Sequence, residues 1–339
     1  MRFVFLVPDL DASFAWQVFD RTMHRIPSAA LHDWMRHRLM RVQIAHGGTL
    51  NLMRHCQTAR SCGVEAVLAT MRGRNTYGER GIANLPFIRW ADRRPDDVCI
   101  VPDFVTALID EVEGPAIAYL QVPLFTKANF DYKSDRVQLW TDSPFMQAIC
   151  EQAYPGKPVP IVPNIVDNTA FPFIPQRDRE SGLVFAFPRK GPKFIDATEE
   201  CYRRLGGQFW RFERIDGLPF HELAQQFRRP QVFLASAEVE GCALPPQESM
   251  AAGIVVVGKT ARGANFCMQH RETAMAAETP EEAAKCLFEL EDEALRSYIS
   301  EQAHQYISRY FPDREPYRFW QETIAQYSGQ SVAAIRQAA

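Results

Sequence analysis

Val232-Phe-Leu-Ala-Ser-Ala-Glu-Val-Glu-Gly-Cys-Ala-Leu-Pro-Pro-Gln-Glu-Ser-Met-Ala-Ala-Gly-Ile-Val-Val-Val257 decides the fold class of this chain. Val232 to Ala235 and Ile254 to Val257 are short apolar runs of strand type. Between them a proline pair starts a helix and Gly253 ends it. Strand, loop, short helix and strand at this spacing form a parallel crossover, the repeating unit of an α/β fold. Ligands of α/β proteins bind in the loops at the carboxyl ends of such strands. This loop carries two carboxylates, Glu240 and Glu248, around a glycine turn.

Outward from this stretch the same alternation recurs. Strand-like runs at Phe3 to Val7, Val64 to Ala69, Val98 to Val101, Ala116 to Leu120 and Val137 to Trp140 alternate with helical patterns in the first half. The pattern restarts with Leu183 to Phe187, Phe209 to Phe212, Val232 to Ala235 and Ile254 to Val257, and ends in helical sequence from Pro280. Tyr154-Pro-Gly-Lys-Pro-Val-Pro-Ile-Val-Pro-Asn-Ile-Val-Asp167 separates the two series as an extended, turn-rich connector. Two α/β domains are therefore expected, and binding is expected between two lobes.

The segment 9–46 interrupts the first domain, because a first strand should feed its helix within a few residues. It contains Trp34-Met-Arg-His-Arg-Leu-Met-Arg41, which reads either as a solvated helix covering the domain edge or as a helix that contacts an anionic surface, such as a membrane leaflet, or a polar acceptor.

The chain has 339 residues, 46% hydrophobic and 23% charged, with a formal net charge of -3, as expected of a globular protein with room for two cores. It has no basic excess, zinc-finger spacing or RNA-binding aromatic signature, so nucleic acid is not an expected partner. The eight cysteines are scattered without a Cys-x-x-Cys pair and read as reduced core residues. The apolar start Phe3 to Val7 is cut by Pro8 and Asp9, too short for a signal core or a membrane span, and the expected location is the cytoplasm.

Three groups of residues suit ligand chemistry. His46-Gly47-Gly48 precedes a helical pattern with apolar Leu50, Met53, Cys56 and Ala59, which puts free amides at a helix N-terminus, suited to a phosphate or a sugar hydroxyl. Arg189, Lys190 and Lys193 follow the first strand of the second domain, and three cations on one loop suit a diphosphate. Glu248 is expected in the first turn of its helix, where a carboxylate can accept from a ribose diol. Glu240 is expected beside the amides of Gly241, Cys242, Ala243 and Leu244.

Taken together, Ser236-x-x-x-Glu-Gly-x-x-Leu-Pro-x-x-Glu-x-Met-Ala-Ala-Gly253 resembles the donor-site signature of retaining glycosyltransferases of family 4. Pro163-Asn-Ile-Val-Asp167 is similar to the Asn-Gly-x-Asp linker of that family, and Thr260-Ala-Arg-Gly-Ala-Asn265 and Gly47-Gly48 add to the likeness. The resemblance is strong over the second half and loose before it.

It implies a GT-B type fold, two Rossmann-like domains facing a central cleft. Residues 1–163 would form the acceptor domain, 164–311 the donor domain, and 312–339 a helix crossing back to the first, with Phe319 and Trp320 in its core. It implies transfer of a sugar, with retention, from a UDP or GDP donor to a glycan or lipid-linked acceptor, with no cofactor or metal. Glu248 would meet the ribose, Glu240 the sugar, and Arg189 with Lys190 or Lys193 the diphosphate, while His46 and Gln121 would lie on the acceptor side.

The sequence departs from the family in three places. Arg189 and Lys190 are adjacent and precede Gly191, the linker's second glycine is Ile165, and Gln121 stands where many relatives carry a histidine. A noncatalytic nucleotide-sugar-binding protein and a nucleotide-sugar epimerase of the same fold type are the alternatives.

Overall fold

The computed structural model describes residues 1–9, 43–77, 85–123 and 132–329, with Val332 and Ile335. The expected insertion, including Trp34 to Arg41, lies almost wholly outside the described residues. The chain forms two compact units. One comprises Met1–Tyr119, Ala128–Trp140 and Pro316–Ala339, the other Leu120–Lys127 and Thr141–Glu315.

The contacts divide the chain at Thr141, ahead of the boundary at 163 read from the prolines. The reason is local pairing. Thr141 donates its N–H to Pro160 O at 3.1 Å, and Val162 donates to Thr141 O at 2.7 Å, so the connector is folded onto residues of the second unit.

The first unit is built on six strands, β1 (Arg2–Leu6), β2 (Glu65–Thr70), β3 (Phe87–Arg89), β4 (Val98–Pro102), β5 (Ala116–Leu120) and β6 (Val137–Thr141), in the order β3-β2-β1-β4-β5-β6. β1 pairs in parallel with both β2 and β4, Phe3 standing opposite Ala66 and Val98. β1, β4 and β5 are buried at every residue, as a sheet covered on both faces requires. Helix α1 (Gly47–Ser61) turns Leu50, Met53, Cys56 and Ala59 inward, as the spacing predicts.

The second unit contains β7 (Leu183–Ala186), β8 (Arg211–Arg214), β9 (Val232–Ala235), β10 (Val255–Gly258) and β11 (Met275–Ala276). Its helices are α2 (Pro144–Ala153), α3 (Pro192–Arg204), α4 (Phe220–Gln226), α5 (Leu244–Ala252), α6 (Pro280–Glu289) and α7 (Glu293–Tyr310). The strand order is β8-β7-β9-β10-β11. The alternation of strand residues separates two apolar layers. Val184, Leu234 and Val257 pack with Ile195 of α3 and Leu287 of α6, whereas Phe185, Phe233 and Val256 pack with Met250 of α5 and Ile307 of α7.

Ala116–Leu120 and Val232–Ala235 are strands with the bounds read from the sequence. β8 begins two residues later than expected, because the amides of Phe209 and Trp210 donate to the hydroxyl of Tyr202 rather than to a ladder. β3 and β11 escape the pattern, being only three and two residues long.

All eight cysteines are free and buried. Burial pushes the thiols of Cys99 and Cys267 up to about 12, and an unreactive thiol follows from the missing thiolate. An aromatic disulfide reagent at pH 8 is expected to titrate about none of them in the folded protein and all eight after unfolding. Stoichiometric reaction of Cys99 or Cys267 in the folded state would contradict this burial.

Candidate functional site

The order of the second sheet reverses between β7 and β9, since the chain leaves β7 for β8 on one side and returns to β9 on the other. At such a point the loops leaving two neighbouring strands run in opposite directions and open a crevice at their carboxyl ends. The loop after β7 carries Arg189 and Lys190, Lys193 is the second residue of α3 rather than a loop residue, and the loop after β9 carries Glu240.

The two loops are joined. Gly191, with φ 92°, is the left-handed N-cap of α3 and lies so close to Ser236 that a β-carbon would overlap its carbonyl oxygen and sit 3.0 Å from its carbonyl carbon. Ser236 Oγ donates to Lys190 O at 2.5 Å. Only glycine satisfies both the backbone angle and the approach.

Lys190 Nζ lies 2.6 Å from each carboxylate oxygen of Glu240. Glu240 retains only 13% side-chain exposure and Lys190 40%, so the attraction is less screened than in a surface pair. Arg189 and Lys193 are exposed and form no ion pair among the described residues. The sequence leaves the diphosphate lysine open between Lys190 and Lys193. The structure occupies Lys190 with Glu240. Glu238, two residues earlier, pairs with Lys259, whose Nζ also stands 4.9 Å from the Phe194 ring centroid.

After Glu240 the loop is tightly confined. A β-carbon on Gly241 would overlap Gln121 O and sit 2.7 Å from its carbonyl carbon and 3.0 Å from Asp142 Oδ1. Gln121, read from the sequence as an acceptor-side residue, is thus a backbone neighbour of the Glu240 loop. The N–H groups of Gly241, Cys242, Ala243 and Leu244 donate to no acceptor among the described residues. Cys242 is buried, and burial followed by the Asp142 charge raises its thiol well above the ordinary range.

Helix α5 begins at Leu244 with prolines in its first turn, which therefore holds no acidic residue. Glu248 is its fifth residue, in the second turn rather than the first. The expectation placed it one turn too early because the helix starts before the prolines. Glu248 is 3% exposed on a helix buried at nearly every position. The far end of α5 is fixed by Gly253, with φ 86°, and by buried Arg179, which donates to the carbonyls of Ile174, Phe227, Pro230 and Ala252.

In the first unit, His46 is the N-cap of α1 and its side chain makes no capping bond, and Gly47 and Gly48 open the helix as the sequence predicts. The loop after β10 holds Ala261 and Arg262 at φ 50° and 61°, a left-handed conformation costly for residues with a β-carbon. Gly263 follows at φ 96°, with Phe145 of α2 3.8 Å from the position of an added β-carbon.

Sequence reasoning passes over Ser143 and Gln247. Ser143-Pro144 after β6 has the form of an N-cap followed by a first-turn proline, a local signal that could have drawn attention to it. Gln247 carries no such signal. Among the described residues no group of three or more His, Cys, Asp or Glu side chains is placed to hold a metal ion, and no helix is long and apolar enough to cross a membrane.

No protein-family model matches the sequence, and no curated protein matches it. Solved structures do match in shape. Sucrose-phosphate synthase from Thermosynechococcus elongatus superposes with a TM-score of 0.64 at 11% identity, over 97% of this chain and 100% of that one. HepE of Anabaena, in complex with UDP-glucose, gives 0.53 at 13% identity over 96% and 100%. The fold is of the GT-B type. TarM gives 0.55 at 11% identity over 68% of this chain, which spans only 55% of TarM's length. At these identities the likeness is one of fold: two Rossmann-like units, each with a parallel sheet covered by helices.

Proposed function

We propose that the protein is a retaining glycosyltransferase that moves a sugar from a UDP or GDP donor to a glycan or lipid-linked acceptor. The observation that supports this most is the Lys190–Glu240 pair at the switch point of the second sheet, with Arg189 and Lys193 in the same segment after β7 and without an ion pair among the described residues. That HepE binds UDP-glucose on the same fold type agrees with the reading.

In this reading Arg189 and Lys193 meet the diphosphate. Arginine grips phosphate oxygens as a fork, and a lysine follows them as a point charge. Lys190 holds Glu240, which accepts from hydroxyls of the donor sugar, and Glu248 accepts from the ribose. The amides of Gly241, Cys242, Ala243 and Leu244 donate to the sugar and to the phosphates. As the glycosidic bond breaks, negative charge accumulates on the diphosphate, and fixed cations and amides stabilise it without a metal. His46 and Gln121 are read as acceptor-side residues, and Gly47 and Gly48 as donor-binding ones.

Titration calorimetry with UDP and GDP tests the proposal. One of them is expected to bind, and Arg189→Ala and Lys193→Ala are each expected to weaken it about tenfold, the loss of one charge-assisted hydrogen bond. Glu248→Ala is expected to weaken it similarly. If wild-type protein binds neither nucleotide, or if Glu248→Ala binds as tightly as wild type, the donor-site assignment fails.

A further inference from the structure

Three buried side chains from elsewhere in the sequence hold the loop that carries Glu240. Ser143 Oγ donates to Gly241 O at 2.7 Å while accepting from Met146 N at 3.1 Å. Asn164 Nδ2 donates to Cys242 O at 3.1 Å and to Gln247 Oε1 at 3.1 Å. Gln247 Nε2 closes the network on Cys242 Sγ at 2.9 Å. Ser143, Asn164 and Gln247 are 0%, 3% and 1% exposed.

These bonds have a directional consequence. In a trans peptide the C=O of one residue and the N–H of the next lie in one plane and point opposite ways. Anchoring Gly241 O therefore fixes the direction of the Cys242 N–H, and anchoring Cys242 O fixes that of the Ala243 N–H. Both amides donate to no protein acceptor among the described residues. A glycine whose approach to Gln121 leaves no room for a side chain limits movement of the loop on its other side.

We propose that Asn164 and Ser143 are positioning residues that aim the amides of Cys242 and Ala243 at the outer phosphate of the donor, the one a nucleoside monophosphate lacks. The proposal rests on the nucleoside diphosphate reading given above. It separates Asn164 from the ligand by one peptide plane, so the residue acts on the phosphate part of the donor and not on the nucleoside part.

The affinities of UDP and UMP for the full chain test this, with GDP and GMP as the pair if the guanine nucleotide is the one that binds. Asn164→Asp keeps the shape but turns the donor into an acceptor facing Cys242 O and Gln247 Oε1. UDP is expected to weaken about tenfold in this variant while UMP changes less than about twofold. Ser143→Ala, which frees Gly241 O instead, is expected to shift the same ratio, and it carries the test if Asn164→Asp does not fold. Ser143→Thr, which retains the hydroxyl, is expected to restore it.

An unchanged UDP-to-UMP ratio in a folded variant overturns the proposal. So does an equal loss of both nucleotides with a lowered melting temperature, which marks a purely structural role. Wild-type protein that binds none of the four nucleotides removes the donor reading itself, and this proposal with it. That result differs from binding with an unchanged ratio.

Discussion

Gly241→Ala is expected to weaken nucleotide diphosphate binding by about 10- to 100-fold. The added methyl would overlap Gln121 O, sit 2.7 Å from its carbonyl carbon and lie 3.0 Å from Asp142 Oδ1. The two nearest, Gln121 O and its carbonyl carbon, are backbone atoms and cannot swing away as a side-chain end could. The loop itself must therefore shift, and overpacking of this kind costs about 1–3 kcal/mol. The shift breaks the Ser143 bond to Gly241 O and displaces Glu240 from Lys190. With each 1.4 kcal/mol worth tenfold, most of that cost appears as lost affinity. Gly156→Ala is the control for affinity, because nothing lies within 4 Å of the added carbon and the cost of its φ of 83° falls on stability, not on the ligand site. Calorimetry that finds equal affinities for the Gly241 variant and wild type would mean the loop is not part of the ligand site.

Trp320→Ala is expected to destabilise the first unit by about 3–5 kcal/mol, the range for removing a buried large aromatic side chain. Trp320 is 0% exposed on α8 (Arg314–Ser328). Its ring makes an edge contact with Phe3 at 5.1 Å, lies 5.4 Å from Phe5 and 5.9 Å from Trp140, and its Nε1 donates to His55 Nδ1 at 3.0 Å. The substitution leaves both a cavity and a buried histidine nitrogen without its donor. Trp320→Phe fills most of the cavity and loses only the donor, so it should cost about 1–3 kcal/mol. Denaturant unfolding followed by circular dichroism measures the difference. Equal midpoints for Trp320→Ala and wild type would show that α8 does not hold the first sheet.

Much of the fold can be read from local pattern, because the strands are apolar runs bounded by glycine, proline and helical periodicity. Residues 232–235 and 116–120 show this. The pattern fails where a side chain from afar competes with the ladder, as Tyr202 does at Phe209 and Trp210. It fails also where a strand is too short to have a period, as at Met275–Ala276.

The candidate site divides similarly. The residue types and loops around Glu240, Arg189 and Glu248 were legible because turns, caps and strand ends are local. Three features were not: the choice of Lys190 as Glu240's partner, the turn of α5 that holds Glu248, and the grip of Ser143 and Asn164 on the loop. The first and the last depend on contacts between segments 50 to about 100 residues apart in sequence, which no window of the chain contains, and the second on α5 starting before its prolines.

The return of Pro316–Ala339 to the first unit bears on how the chain is made. During synthesis β1 leaves the ribosome before the second unit, yet Trp320, which covers Phe3 and Phe5, leaves only after the whole of that unit. The usual order of domain folding is therefore inverted. The later unit can close while the earlier one still waits with aromatic rings uncovered. Nascent chains arrested before residue 316 should carry that sticky face, and such intermediates are the ones that chaperones would engage and that aggregate when synthesis outruns them.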